Sequence, residues 1–121
     1  MSDKDKESGL WLAVKRDIEV KIITGEYPAG ARIPTIVELS KQYNIGKTTA
    51  QKIITALNNE GIIIKRVSMG CFVKPFVKGK LLERHKEYLR ENLENCIQSA
   101  KTLQLDKDYL LQLVNDEWEN L

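Results

Sequence analysis

Residues 34–61 read PTIVELSKQYNIGKTTAQKIITALNNEG, and this stretch decides the fold. Thr35 followed three residues later by Glu38 forms a capping box. It starts a short helix carrying Val37, Leu39 and Tyr43 that ends near Asn44. The link Asn44-Ile45-Gly46 is tight. A further helix is predicted from about Lys47 to Asn59, with Ala50, Ile53, Ile54 and Leu57 facing inward and Gly61 as its stop. Two short helices on a tight link, the second polar on one face, make the helix-turn-helix pattern.

Working outward, residues 1–9 read as a mobile polar tail. From Leu10 the apolar positions Leu10, Val14, Ile18, Ile22 and Ile23 follow helical spacing among the charges Lys15, Arg16, Asp17, Glu19 and Lys21. Gly25 closes that helix, and residues 26–31 form a turn segment punctuated by Pro28 and Gly30. On the other side, Ile62-Ile63-Ile64-Lys65-Arg66, a turn at 67–70 and Cys71-Phe72-Val73-Lys74 before Pro75 read as a β-hairpin. A lone hairpin is marginal in water, so it must pack on the helices.

A long helix is expected from about Leu81 to Leu105, with Leu82, Leu89, Cys96 and Leu103 recurring every seven residues. Asp106 can cap a final helix carrying Tyr109, Leu110, Leu113, Val114 and Trp118. So much apolar surface in so short a segment calls for a second copy by two-fold symmetry. The pairing residues would be Leu82, Leu89, Leu93, Cys96, Ile97, Leu110, Leu113 and Trp118. The alternative is that both helices fold back on their own head. The expected fold is mainly α: a winged helix-turn-helix head of three helices and a β-hairpin wing at 10–76, then a two-helix dimerisation hairpin at 77–121.

The 121 residues are 42% apolar and 30% charged, an ordinary globular composition. No apolar run approaches a membrane span and residues 1–9 lack the core of a secretory signal, so no membrane partner and a cytoplasmic location are expected. Two cysteines, Cys71 and Cys96, cannot build a disulfide framework, and the single histidine, His85, argues against metal sites and His-based triads. With no phosphate-binding loop, nucleophile elbow or metal-spaced cluster, neither an enzyme nor a cofactor is expected.

The net charge of +2 hides an asymmetry. Residues 1–76 hold 12 Lys/Arg against 8 Asp/Glu, and residues 77–121 hold 7 against 9. Across 41–74 the basic residues are Lys41, Lys47, Lys52, Lys65, Arg66 and Lys74, against one acid, Glu60. That stretch suits a polyanion. The N-terminal residues of the second helix of a helix-turn-helix reach base edges in a major groove. Lys47, Thr48, Thr49, Gln51 and Lys52 cluster there, and each has a donor, acceptor or methyl that bases or phosphates accept. Lys65, Arg66, Ser68, Met69 and Gly70 would form a wing over the backbone, and Thr35 could touch phosphate from its helix end. The plainer readings are a solvated helix face, and a basic pair guarding a hairpin edge.

The order of these pieces resembles the GntR family of bacterial winged-helix transcription regulators. The resemblance runs over about residues 11–74, through Trp11, Val14, Ile18, Ile22 and Gly25, then Pro28-Ala29-Gly30-Ala31-Arg32-Ile33-Pro34-Thr35. It continues through Leu39, Ile45-Gly46-Lys47-Thr48-Thr49, Ala56-Leu57, Glu60-Gly61 and Gly70-Cys71-Phe72-Val73. The two-helix tail is similar to that of the small YtrA-type subfamily. The resemblance implies a homodimeric regulator, a repressor, binding double-stranded operator DNA, of a transporter operon in the YtrA-type pattern. The sequence shows no dedicated pocket for a small-molecule effector, which could sit between head and tail. The chain departs from the family pattern at Val37, Gly46-Lys47, Gln51 and Ser68-Met69-Gly70-Cys71. Val37 stands where the family carries an arginine, which motivates an alternative: a winged helix turned protein-interaction module.

Overall fold

The computed structural model describes residues 3–121. Their elements run α1 (Asp3–Ile23), α2 (Ile36–Tyr43), α3 (Lys47–Asn59), β1 (Ile63–Arg66), β2 (Gly70–Val73), α4 (Lys78–Thr102) and α5 (Lys107–Trp118). They form two compact units, one reaching to Leu82 and one spanning Glu83–Leu121.

The head is built on the apolar stripe of α1. Val14, Ile18 and Ile22 are buried, as are Ala50, Ile53, Ile54 and Leu57 of α3 and Leu39 of α2, and Ile33, Ile45, Ile62, Ile63 and Val73 complete the same cluster. Four buried positions at helical spacing on α3 leave its other face to solvent. Thr35 caps α2: its Oγ1 accepts from the Glu38 amide at 3.1 Å, and the Thr35 amide donates to Glu38 Oε1 at 3.1 Å. Asn44 ends α2 in the left-handed region at φ 52°, which permits the tight link to α3. β1 and β2 pair antiparallel, with Ile63 opposite Val73 and Arg66 opposite Gly70.

Four expectations shift. The helix expected from Leu10 begins at Asp3; of the tail read at 1–9, residues 1–2 lie outside the described residues. No proline interrupts Asp3–Gly9, and lysine and glutamate are good helix formers. The turn segment ends by adding to the hairpin: Arg32 bridges Phe72, the Ile33 amide donates to Cys71 O at 2.9 Å, and the Val73 amide donates to Ala31 O at 2.9 Å. The long helix starts at Lys78, and the head extends past the boundary expected at 76, because Val77 and Leu81 are buried in the head cluster. Lys15 and Glu19, read as charges breaking the α1 stripe, are buried. The Lys15 ammonium lies 3.0 Å from Glu19 and 2.8 Å from Glu60 at the end of α3.

In the second unit, Asp106 caps α5 by accepting from the Tyr109 amide at 2.9 Å. Gln104 turns the chain in the left-handed region at φ 59°. Of the apolar side chains there, Ala100 is buried and Leu110 half-buried, whereas Leu89, Leu93, Ile97, Leu113 and Trp118 are exposed.

Candidate nucleic-acid interface

The first turns of α3 present the expected cluster. Lys47, Thr48, Gln51 and Lys52 are exposed and Thr49 is half-buried, over a buried inner face. Gly46 is the N-cap at φ −69°, ψ 156° and brings no side-chain cap, so the first amides of α3 stay open to an incoming anion. The first turn carries no acidic residue. Gln51 Nε2 donates to Thr55 Oγ1 at 3.1 Å, which steadies its amide along the outer face. Lys52 extends toward α1, with its ammonium 4.6 Å from the centre of the Trp11 ring.

The wing flanks that face. Lys65, Arg66, Ser68 and Met69 are exposed. The turn is closed by the Met69 amide donating to Arg66 O at 3.0 Å, and Ser68 lies at φ 64°. The Arg66 guanidinium lies 5.4 Å from the Phe72 ring centre, so its stem runs along the hairpin. Gly70 lies at φ 111°, and a Cβ there would meet Arg32 Nε at 3.0 Å. Between α2, α3 and the wing lies a cleft of about 300 Å³, with Thr35, Gln51, Thr55, Asn58 and Lys65 among its lining residues. The structure therefore brings Thr35, Gln51, Lys65 and Gly70 to one cleft. It places Thr48, Thr49 and Lys52 on a neighbouring hollow with Trp11.

Electrostatics favour an anion at this face. Glu60, the single acid of residues 41–74, is held by the Lys15 ammonium. Burial works against charge on Lys15, but hydrogen bonds to Glu60 and Glu19 outweigh it and hold the ammonium above the usual lysine range. Glu38 is kept below the usual carboxylate range by the Thr35 amide and hydroxyl. The Cys71 thiol is pushed up by burial, with Lys65 pulling the other way, which is the reverse of what a reactive thiolate needs. Among the described residues no group of three His, Cys, Asp or Glu could hold a metal ion, and no helix is long and apolar enough to cross a membrane. His85 packs edge-on to Tyr88 of the same helix, with ring centres 5.3 Å apart.

Two residues of this surface escaped the sequence reading as interface candidates. Arg32 is exposed beside the wing, 3.9 Å from Glu38, and its only local signal is its position in the Gly30-to-Thr35 run. Trp11 packs on the core, yet it also borders α3.

A three-helix head with a hairpin wing and an exposed cationic second helix defines a winged helix-turn-helix DNA-binding regulator. The family model for bacterial regulatory proteins of the gntR family matches residues 10–73, and the chain belongs to that family. It is similar to the uncharacterized HTH-type transcriptional regulator YurK of Bacillus subtilis, 34% identical over 83 residues, 68% of this chain and 34% of that protein. The chain spans about a third of the length of YurK and of a probable fructoselysine utilization operon transcriptional repressor of Escherichia coli, 34% identical over 60% of this chain. Its fold is like that of a GntR family transcriptional regulator from Listeria monocytogenes, with TM-score 0.74 at 22% identity over 88% of this chain and 92% of that one. The head is also like AraR(DBD) in complex with operator ORR3, with TM-score 0.51 at 30% identity over 53% of this chain and 77% of that one.

Proposed function

We propose that this chain is a homodimeric repressor of the YtrA-like type that acts in the cytoplasm and reads a palindromic operator, one half-site per head. A transporter operon is the proposed target. Lys47, Thr48, Thr49, Gln51 and Lys52 read the major groove. Lys65, Arg66, Ser68, Met69 and Gly70 grip the backbone and minor groove, and Thr35 meets phosphate at the end of α2. Leu82, Leu89, Leu93, Cys96, Ile97, Leu110, Leu113 and Trp118 pair the two copies. A dimer seated on a promoter excludes polymerase, which makes repression its direct effect.

The observation that carries this reading is the exposed, acid-free first turn of α3 flanked by the basic wing. The operator complex of AraR(DBD) supports it for the head. For pairing, support comes from Leu89, Leu93, Leu113 and Trp118, each between 41% and 77% exposed in the single chain.

The test is a mobility shift with intergenic fragments flanking the chain's own gene, titrated with salt. With Lys47 on a base, Lys52, Lys65 and Arg66 on two heads neutralise about six phosphates, which predicts a log–log salt slope near −5. Lys47→Ala weakens binding to the shifted fragment by about 1–3 kcal/mol if Lys47 reads a base. Absence of any sequence-dependent shift refutes the proposal and leaves the protein-interaction module in its place.

A further inference from the structure

We propose that Trp11 is a positioning residue of the DNA interface: its ring holds the Lys52 ammonium where it meets one phosphate. This rests on the DNA reading above, assigns Lys52 within it to a phosphate at the groove edge rather than to a base, and adds a residue from a different helix. A lysine on an exposed helix face sweeps a wide volume, and ordering its stem on binding costs entropy. Lys52 is not left to sweep. Its Nζ lies 4.6 Å from the centre of the Trp11 ring, within the range where an aromatic face attracts a cation, and tryptophan is the strongest such face.

The ring itself is fixed, because Trp11 is half-buried and packs against the head core. An ammonium on a ring face keeps N–H donors free to point outward, since lysine has three donors and no acceptor. Among the described residues no carboxylate lies within ion-pair distance of Lys52 to compete for them. Trp11, Thr48, Thr49 and Lys52 together line a hollow of about 220 Å³ beside the first turn of α3. The open amides after Gly46 begin that same turn. A phosphate there meets amides on one side and the ring-held ammonium on the other.

The experiment is a double-mutant cycle on the full chain, with a random-sequence 30-base-pair duplex as probe and anisotropy read over a salt series. Lys52→Met should flatten the salt slope by about 0.9 for each phosphate that Lys52 neutralises. Trp11→Leu, which keeps an apolar side chain but no ring, should weaken binding about two- to fivefold, and Trp11→Phe should recover about half of it. In the Lys52→Met background, Trp11→Leu should change nothing further. If Trp11→Leu fails to fold, Trp11→Phe carries the same cycle at smaller amplitude, because phenylalanine holds a cation less strongly. Equal weakening by the Trp11 variants with and without Lys52 overturns the inference alone, as does an unchanged slope in Lys52→Met. A wild-type chain that binds no duplex at all overturns the DNA reading and this inference with it.

Discussion

Replacing Lys15 by methionine should unlatch α1 from the end of α3. The Lys15 side chain is 8% exposed and bridges Glu19, 0% exposed, to Glu60, 32% exposed, at 3.0 and 2.8 Å. Methionine fills a similar volume but removes the charge. Glu60 can turn to water and loses little, as exposed pairs contribute little. Glu19 cannot, and removing one partner of a buried ion pair costs about 3–5 kcal/mol. The half-open side of the cluster places this site at the lower end, about 3 kcal/mol. With a urea slope of about 1–3 kcal/mol per molar, the unfolding midpoint should drop by about 1–3 M. Urea titration followed by circular dichroism measures it. The double variant Lys15→Met, Glu19→Met should regain most of the loss, since an apolar pair replaces the ion pair. A Lys15→Met protein that unfolds within about 0.5 kcal/mol of wild type refutes the reasoning.

High pH should act on the same region. Lys15 is held above the usual lysine range, so its contribution is complete below its unfolded pKa of about 10.4 and fades as pH rises through the folded value. Tyr43 is raised by burial and by its hydrogen bond to Asp17, so its neutral form adds stability that is lost in the same direction. Urea midpoints at pH 8 and pH 11 should therefore differ more in wild type than in the Lys15→Met, Glu19→Met variant; an equal drop would exclude Lys15 as the cause. Gly70→Ala forces an L side chain to φ 111° and drives its Cβ to 3.0 Å from Arg32 Nε. The cost is about 1–3 kcal/mol by thermal melting, and an unshifted melt would show the wing to be freely adaptable. If the proposed pairing holds, Leu89→Asp with Leu93→Asp, on positions 68% and 52% exposed, should halve the sedimenting mass while leaving the head folded; an unchanged two-chain mass places pairing elsewhere, and a one-chain mass in wild type refutes it.

The head was legible wherever one element meets one core. Ala50, Ile53, Ile54 and Leu57 are all buried because α3 is short and packs on one side, so periodicity alone finds them. The α2 cap was legible because Thr35 and Glu38 satisfy each other within four residues. Lys15 and Glu19 were misplaced because a charge pattern signals solvent unless a third group, here Glu60, arrives from 45 residues away. The bridge at Arg32, just past the turn segment read at 26–31, was not foreseen because its strand partner, β2, lies far downstream. For the candidate interface, the polar face of α3 was evident from residue types. The aromatic support of Lys52 was not, since no local spacing brings Trp11 to α3. In the tail the heptad leucines stood out, and Leu82, Leu89 and Leu103 are exposed in the single chain.

The short Ala31–Ile33 bridge has a mechanical consequence. The hairpin is stitched to a segment that runs through Pro34 directly into the cap of α2. A tug on the wing tip is therefore relayed along β2 to the root of the first helix of the motif, which turns a floppy flap into a stiff bracket. In the proposed complex, any force that DNA exerts on the tip would be shared with the scaffold that aims α3, and the angle between wing and helix would be set when the chain folds.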